Sequence, residues 1–370
     1  MPKVISICFG MRLFLLAVTA ESLSKIVNRK EYKMVDLKTK YMGLELKNPI
    51  IVGASPLTAH IDTIHKLEEA GAAAIVAKSL FEEEIQLERF KFDEDRKKYD
   101  ERHAEMISIF PDIEHAGPNE HLMWVKKVKE EISIPVIASL NAVNRETWIE
   151  YAGLLQDAGV DGLELNLYHS PKDTQTMGST IEVEQISMLK IIKEKISIPF
   201  SVKLSPFYSN VLNFVKQIDQ NGVNGYVLFN RFFQPEIDIQ SETHISPFNL
   251  SRSEDHRMSL RFTGILAGNI IGDICCSTGI FQGEDVIKMI LAGASCIQIV
   301  STLIQNQIDH IKKILGDIEE WMIQKGYLSL DDFKGKMSKN NSRDPWVYSR
   351  AQYIKLLLNP VSILINDSLP

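Results

Sequence analysis

Four times along this 370-residue chain a helix-like stretch runs into the same kind of stop, Ala70-Gly71, Ala158-Gly159, Asn221-Gly222 and Ala292-Gly293, and each time an apolar run follows. Glycine ends a helix cheaply because it tolerates the left-handed conformation. The apolar runs lie at 50–54, 73–77, 134–140, from Asp161 onward, 200–204, 225–229, 271–276 and 296–300. Most are followed by a helical pattern, and the spacing is mostly about 25 to 40 residues. Strands separated by helices in this way pair in parallel, because a parallel pair needs a long crossover.

A doubly wound sheet and a (β/α)₈ barrel both satisfy that repetition. No G-x-G-x-x-G follows the first strand, which weakens a dinucleotide-binding sheet. Eight units, with polar residues at nearly every strand's C-terminal end, favour the TIM (β/α)₈ barrel, whose active sites are built at that end. Thr39 to Leu46 alternates around Gly43 and reads as an N-terminal β-hairpin. The expected organisation is an extension or targeting segment over 1–33, a barrel over 34–314 and a C-terminal helical tail over 315–370 that packs on or beside it. Within the first segment Ile5 to Thr19 is apolar, and both a plain extension and a membrane contact stay open. The charged stretch from Glu82 to about Pro118 reads as a solvated excursion.

A net charge of -7 disfavours a general nucleic-acid binder. Four cysteines with no C-x-x-C pair offer neither a disulfide framework nor a metal site, so no metal is expected and a reduced cytoplasm fits best.

The strand ends carry the chemistry. Lys78 ends the second strand, Asn166 lies on the fourth, Lys203 on the fifth, and Asn230 ends the sixth. A lysine on a buried strand is costly unless it is paired or functional. Ser277-Thr278-Gly279 and Val300-Ser301-Thr302 follow the last two strands, where this class of barrel binds phosphate; simple helix capping by the same hydroxyls is the other reading. Phosphate donors, inward lysines and amides together suit flavin mononucleotide (FMN). The loop after the fourth strand, Tyr168-His169-Ser170-Pro171, would then carry an acid/base group over a small substrate.

With those residues in place, the chain resembles the dihydroorotate dehydrogenases, especially the soluble class 1 enzymes, over about 34–314. The resemblance is carried by Gly43-Leu44, Asn48-Pro49, Ala54-Ser55, Lys78-Ser79, Gly117-Pro118-Asn119, Glu164-Leu165-Asn166, Val202-Lys203-Leu204-Ser205-Pro206, Asn230, Thr278-Gly279-Ile280 and Ile299-Val300-Ser301-Thr302. It implies an FMN-dependent oxidation of dihydroorotate to orotate in pyrimidine biosynthesis, in which a base removes the C5 proton while hydride passes from C6 to flavin N5. Ala54, Ser55, Lys78, Ser79, Asn166, Lys203 and Asn230 match flavin-contacting positions. Thr278, Gly279, Ser301 and Thr302 match the phosphate loops, and Asn119 matches a substrate-binding amide. Ser170 matches the base, with His169 as alternate or relay and Lys78 beside the substrate. The family also implies a homodimer and a separate electron acceptor: fumarate, a quinone or a partner subunit.

The chain departs from the family pattern in four places. One extra residue precedes Pro171, Lys172-Asp173 replaces an asparagine, Arg231 stands where a small hydroxyl residue is common, and Thr278 takes the place of a glycine. Two other readings follow from them: an FMN oxidoreductase of another dihydropyrimidine-like ring, or a redox-inactive barrel that binds a phosphate ligand.

Overall fold

The computed structural model describes residues 35–87, 118–169, 173–231, 235–246 and 250–348. The apolar run 5–19, most of the charged stretch, and Ser170 with Pro171 and Lys172 lie outside the described residues.

The chain enters through an antiparallel hairpin, β1 (Thr39–Tyr41) and β2 (Leu44–Leu46), joined by Met42-Gly43. Both loop residues have positive φ, as a two-residue hairpin turn requires. Then follow β3 (Ile50–Val52), α1 (Ile61–Glu69), β4 (Ala74–Val76), the short β5 (Leu80–Phe81), α2 (Pro118–Glu131), β6 (Val136–Asn141), α3 (Arg145–Asp157) and β7 (Gly162–Asn166). The second half runs α4 (Gly178–Lys195), β8 (Phe200–Leu204), α5 (Val211–Gln220), β9 (Gly225–Leu228), β10 (Glu236–Asp238), β11 (Thr243–Ile245), α6 (His256–Leu266), β12 (Asp273–Ser277), α7 (Gly283–Ala292), β13 (Cys296–Ile299), α8 (Ser301–Asn306) and α9 (His310–Lys325).

Eight of these strands pair in parallel in the order β3-β4-β6-β7-β8-β9-β12-β13, and β13 pairs back to β3. The sheet is therefore closed, a TIM barrel. Alternation along each strand sorts the residues onto two faces. Ile50, Val52, Leu163, Leu165, Val202 and Leu204 join the large core shared with the helices. Ile51, Ala74, Val76, Ile137, Val227, Cys275 and Cys296 form a second, smaller cluster with Tyr41 and Met42 of the hairpin. The hairpin thus plugs the N-terminal end of the barrel. A Cβ on Gly225, the first residue of β9, would come within 2.9 Å of both Met42 Cγ and Tyr41 Cε2, so only glycine lets the plug seat.

The structure corrects the sequence reading at Ile271 and at Glu82. Ile271 is 92% exposed and precedes its strand, which begins at Asp273. The stretch after Asn230 contains the exposed β10–β11 ribbon. Glu82 is no solvated charge: it is buried and accepts hydrogen bonds from the backbone N–H groups of Val143 and Asn144 (2.5 and 2.8 Å) at the N-terminus of α3. Burial pushes its carboxyl up, and the hydrogen bonds from Asn144, Val143 and Gln86 outweigh that and hold it below the usual range. Trp346 is largely exposed.

The expected boundary at 314 falls inside α9, which buries Ile311, Ile314, Ile318 and Met322 at helical spacing. The following segment lies back on the barrel's outer helices through Gly335 N–H to Ile290 O (2.9 Å) and Lys339 N–H to Gly264 O (2.7 Å), with Leu330 and Phe333 buried. Among the described residues no helix is long and apolar enough to cross a membrane.

Candidate active site

The C-terminal ends of the barrel strands surround a cavity of about 970 Å³. Ala54 and Ser55 reach it after β3, Lys78 and Ser79 after β4, Asn141 from β6, Asn166 from β7, Lys203 from β8, Asn230 after β9, Ser277 to Gly279 at β12, and Gln298 from β13. Every barrel strand contributes.

Its floor is an ionic network. Lys203 Nζ donates to Glu164 Oε1 and to Gln298 Oε1, both at 3.2 Å, and Gln298 Nε2 donates to Glu164 Oε2. Strands β7 and β13 are not neighbours, so the Glu164–Gln298 bond crosses the barrel interior. Asn166, one inward position further along β7, donates through Nδ2 to Ser139 Oγ (3.0 Å), which is hydrogen-bonded to Ser79 Oγ (2.7 Å). These bonds fix the amide's orientation in a buried setting.

One wall holds Ser55, Lys78 and His121. The Thr58 N–H donates to the Ser55 carbonyl (3.0 Å), and the Ser55 N–H donates to Thr58 Oγ1 (3.2 Å). The Ser55 hydroxyl is left buried with no partner. Lys78 Nζ lies 3.8 Å from Glu84 Oε1. His121 sits in the first turn of α2, tilted against Trp124 at a ring separation of 5.5 Å, and both line the cavity. Burial, reinforced by the Lys78 charge, pushes the His121 pKa down to about 4.

Another wall is the turn after β12. Thr278 and Gly279 are both left-handed, with φ of 74° and 76°. A Cβ on Gly279 would overlap His256 N at the start of α6, so the glycine lets that helix pack on the turn. Thr278 pays the cost of a side chain in this conformation and recovers a hydrogen bond to Phe229 O (3.2 Å). Ser301 Oγ accepts from Ser251 N–H (3.0 Å). Arg231 pairs with Asp255 (2.6 Å) and donates to Leu250 O (3.2 Å), which ties the two ends of the β10–β11 excursion together at the cavity rim.

Of the residues singled out from the sequence, Ala54, Ser55, Lys78, Ser79, Asn166, Lys203, Asn230, Thr278, Gly279 and Ser301 line this one cavity. Thr302 does not: it is buried behind the wall, where its hydroxyl donates to Phe281 O (3.2 Å). Asn119 is exposed and absent from the lining, and His169 is exposed on the loop after Tyr168. Ser170 lies outside the described residues. Glu164, Gln298, His121 and Tyr168 are site residues to which the sequence reading gave no role. A glutamine inside the apolar run Cys296 to Val300 was the available signal for Gln298. For His121 the signal was its spacing of three, four and seven from Trp124, Val125 and Val128.

Comparison with known proteins gives a match to the dihydroorotate dehydrogenase family over residues 36–322. The catalytic subunit of dihydroorotate dehydrogenase B (NAD(+)) from Thermoplasma acidophilum is 27% identical over 313 residues, covering 82% of this chain and 99% of the relative. The corresponding subunit from Methanocaldococcus jannaschii is 25% identical, covering 81% and 97%. A putative dihydroorotate dehydrogenase A (fumarate) from Aeropyrum pernix is 25% identical over 321 residues, covering 82% and 98%.

Proposed function

The chain belongs to the dihydroorotate dehydrogenase family and is an oxidoreductase, and from that premise we propose that its cavity binds FMN and oxidises dihydroorotate to orotate. The observation that carries the reading is the convergence of polar side chains from all eight strand ends on one cavity, with Lys203 held at its floor.

The residues suit the cofactor. A volume of about 970 Å³ lies within the range of small-molecule sites. The Ser55 hydroxyl is a buried polar group that a bound polar ligand would satisfy. The Thr278–Gly279 turn and Ser301 would hold the phosphate, in the loops this barrel class uses for it. Asn166 and Asn230 would hydrogen-bond the polar edge of the ring, and Lys203 would offset negative charge gathering there. When bound, the flavin supplies a two-electron sink for the hydride leaving substrate C6.

The chain's own part is the proton and the pose. Lys78 supplies positive charge for the substrate carboxylate. The loop after β7 takes the C5 proton, with Ser170 as base and His169 as its relay or alternate. A serine alone is a weak base, so a partner or ordered water must carry the proton onward. The electrons then leave to a second acceptor. The relatives are named for NAD(+) and for fumarate, and reoxidation trials with fumarate, a quinone and a partner subunit separate the routes. A homodimer is expected on family grounds, and light scattering measures it.

The decisive experiment is an anaerobic titration of the purified protein with dihydroorotate. A visible flavin band that bleaches on addition is the expected result. A colourless protein, or a band that persists at saturating dihydroorotate, overturns the reading.

A further inference from the structure

One wall of the cavity holds a buried imidazole to which the sequence motifs give no role. Asn119, the amide matched to substrate binding, and His121 are two residues apart on α2. Successive helical residues turn by about 100°, so two positions apart face nearly opposite ways. The structure bears this out: Asn119 is exposed, whereas His121 is 7% exposed and lines the cavity with Trp124 three residues on. His121 Nε2 is buried and has no hydrogen-bond partner. An orphaned ring nitrogen in a cavity wall is costly unless a ligand completes it.

Building on the proposed function, we infer that His121 is a specificity-determining substrate contact, its Nε2 hydrogen-bonding the polar edge of the bound ring. Lys78 on the same wall carries the positive charge that an anionic substrate needs. His121, with its depressed pKa, is a neutral imidazole at physiological pH and reads a neutral group rather than a charge. Trp124 lies against it, and Phe81 adds apolar surface to the same cavity. The ligand these side chains fit is a small heterocycle with one carboxylate and an amide-like edge, the chemistry of orotate and its dihydro form.

The test uses full-length, flavin-loaded protein and orotate as probe. Orotate affinity is read from perturbation of the flavin absorbance in the parent, His121→Phe and His121→Gln. Flavin content and thermal midpoint are measured alongside. His121→Phe should keep its flavin and bind orotate at least tenfold more weakly, with His121→Gln recovering part of the loss. Dihydroorotate KM should rise in His121→Phe by more than kcat falls. Parent-like orotate affinity in flavin-loaded His121→Phe overturns the inference and leaves the function standing. Failure of the parent itself to bind orotate overturns both. If His121→Phe loses its flavin, ring-nitrogen NMR of the parent decides. A shifted His121 Nε2 signal on saturation with orotate supports the contact, and an unmoved signal overturns it.

Discussion

Lys203 Nζ lies 3.2 Å from Glu164 Oε1 on the neighbouring strand, and this pair forms the floor of the cavity. The Glu164 side chain is fully buried and that of Lys203 is 12% exposed. A carboxylate removed from water costs several kcal/mol unless a cation and donors compensate it. Lys203 and Gln298 supply both, so the strand lysine that the sequence marks as functional also makes a buried glutamate tolerable. The two roles are compatible, because Lys203 lines the cavity while paired.

Removing one partner of this pair should therefore hurt more than removing both. Lys203→Met leaves Glu164 buried with only Gln298 and should lose about 3 kcal/mol or more of stability in urea, together with flavin retention. The double variant Lys203→Met/Glu164→Gln should recover much of the stability but not the flavin. Urea midpoints and flavin content of the two single variants and the double variant measure this. A double variant no more stable than the sum of the singles would mean that the two residues are not coupled.

The turn after β12 makes a sharper structural prediction. Gly279→Ala adds a Cβ that overlaps His256 N in a residue with φ of 76°. The left-handed conformation alone costs about 1–2 kcal/mol for a side-chain-bearing residue, and the overlap adds to it. Thr278→Gly removes that strain but gives up the Phe229 hydrogen bond and gains unfolded-chain entropy, so its net effect should stay within about 1 kcal/mol. Thermal midpoints should thus fall clearly for Gly279→Ala and little for Thr278→Gly. Equal losses would mean that the α6 contact does not depend on glycine.

How far the sequence carries the reader differs between fold and site. The Ala70-Gly71 type of stop and the apolar runs are local signals, and they yield the strands and the barrel. Residues at strand ends, such as Lys78, Asn166 and Asn230, inherit their positions from that fold. The Glu164–Gln298 contact needs barrel closure, because it joins strands that do not pair, and no local pattern encodes it. Asn119 illustrates a different limit. A motif gives a position along the chain, whereas the face it presents depends on the rotational phase of α2, which burial of Val125 and Val128 sets. Glu82 sits in a run of charge that reads as solvent-exposed, and only the approach of α3 reveals its buried anchoring role.

His121 also predicts how acid affects stability. Its pKa is about 4 in the folded protein, held down by burial and by Lys78, against about 6.5 for an ordinary histidine. Between those values the unfolded chain binds a proton there and the folded chain does not. Stability contributed at this site is therefore intact above about pH 6.5 and falls as pH drops toward 4, by roughly 3 kcal/mol in total. His121→Gln cannot titrate, so its stability should decline less steeply across this window. Urea unfolding of flavin-free parent and variant at several pH values measures the difference, and parallel curves would show that His121 titrates normally.

The base is the remaining question of mechanism, and the proposed function puts it on the loop after β7. Tyr168 lines the cavity, His169 beside it is exposed, and Asp173 closes the far end by accepting from the N–H groups of Gln175 and Thr176 (2.6 and 2.7 Å). Those bonds hold the Asp173 carboxyl below its usual range. Ser170 directly precedes Pro171, as the base does in the family, and needs a relay that His169 is one residue away from supplying. Anaerobic flavin reduction by dihydroorotate should therefore slow by roughly 10²-fold or more in Ser170→Ala, the usual scale of a lost general base. His169→Ala should slow it less and alter its pH profile. Near-parent reduction in Ser170→Ala with a large loss in His169→Ala transfers the role to the histidine. Near-parent rates in both would move the base out of this loop altogether.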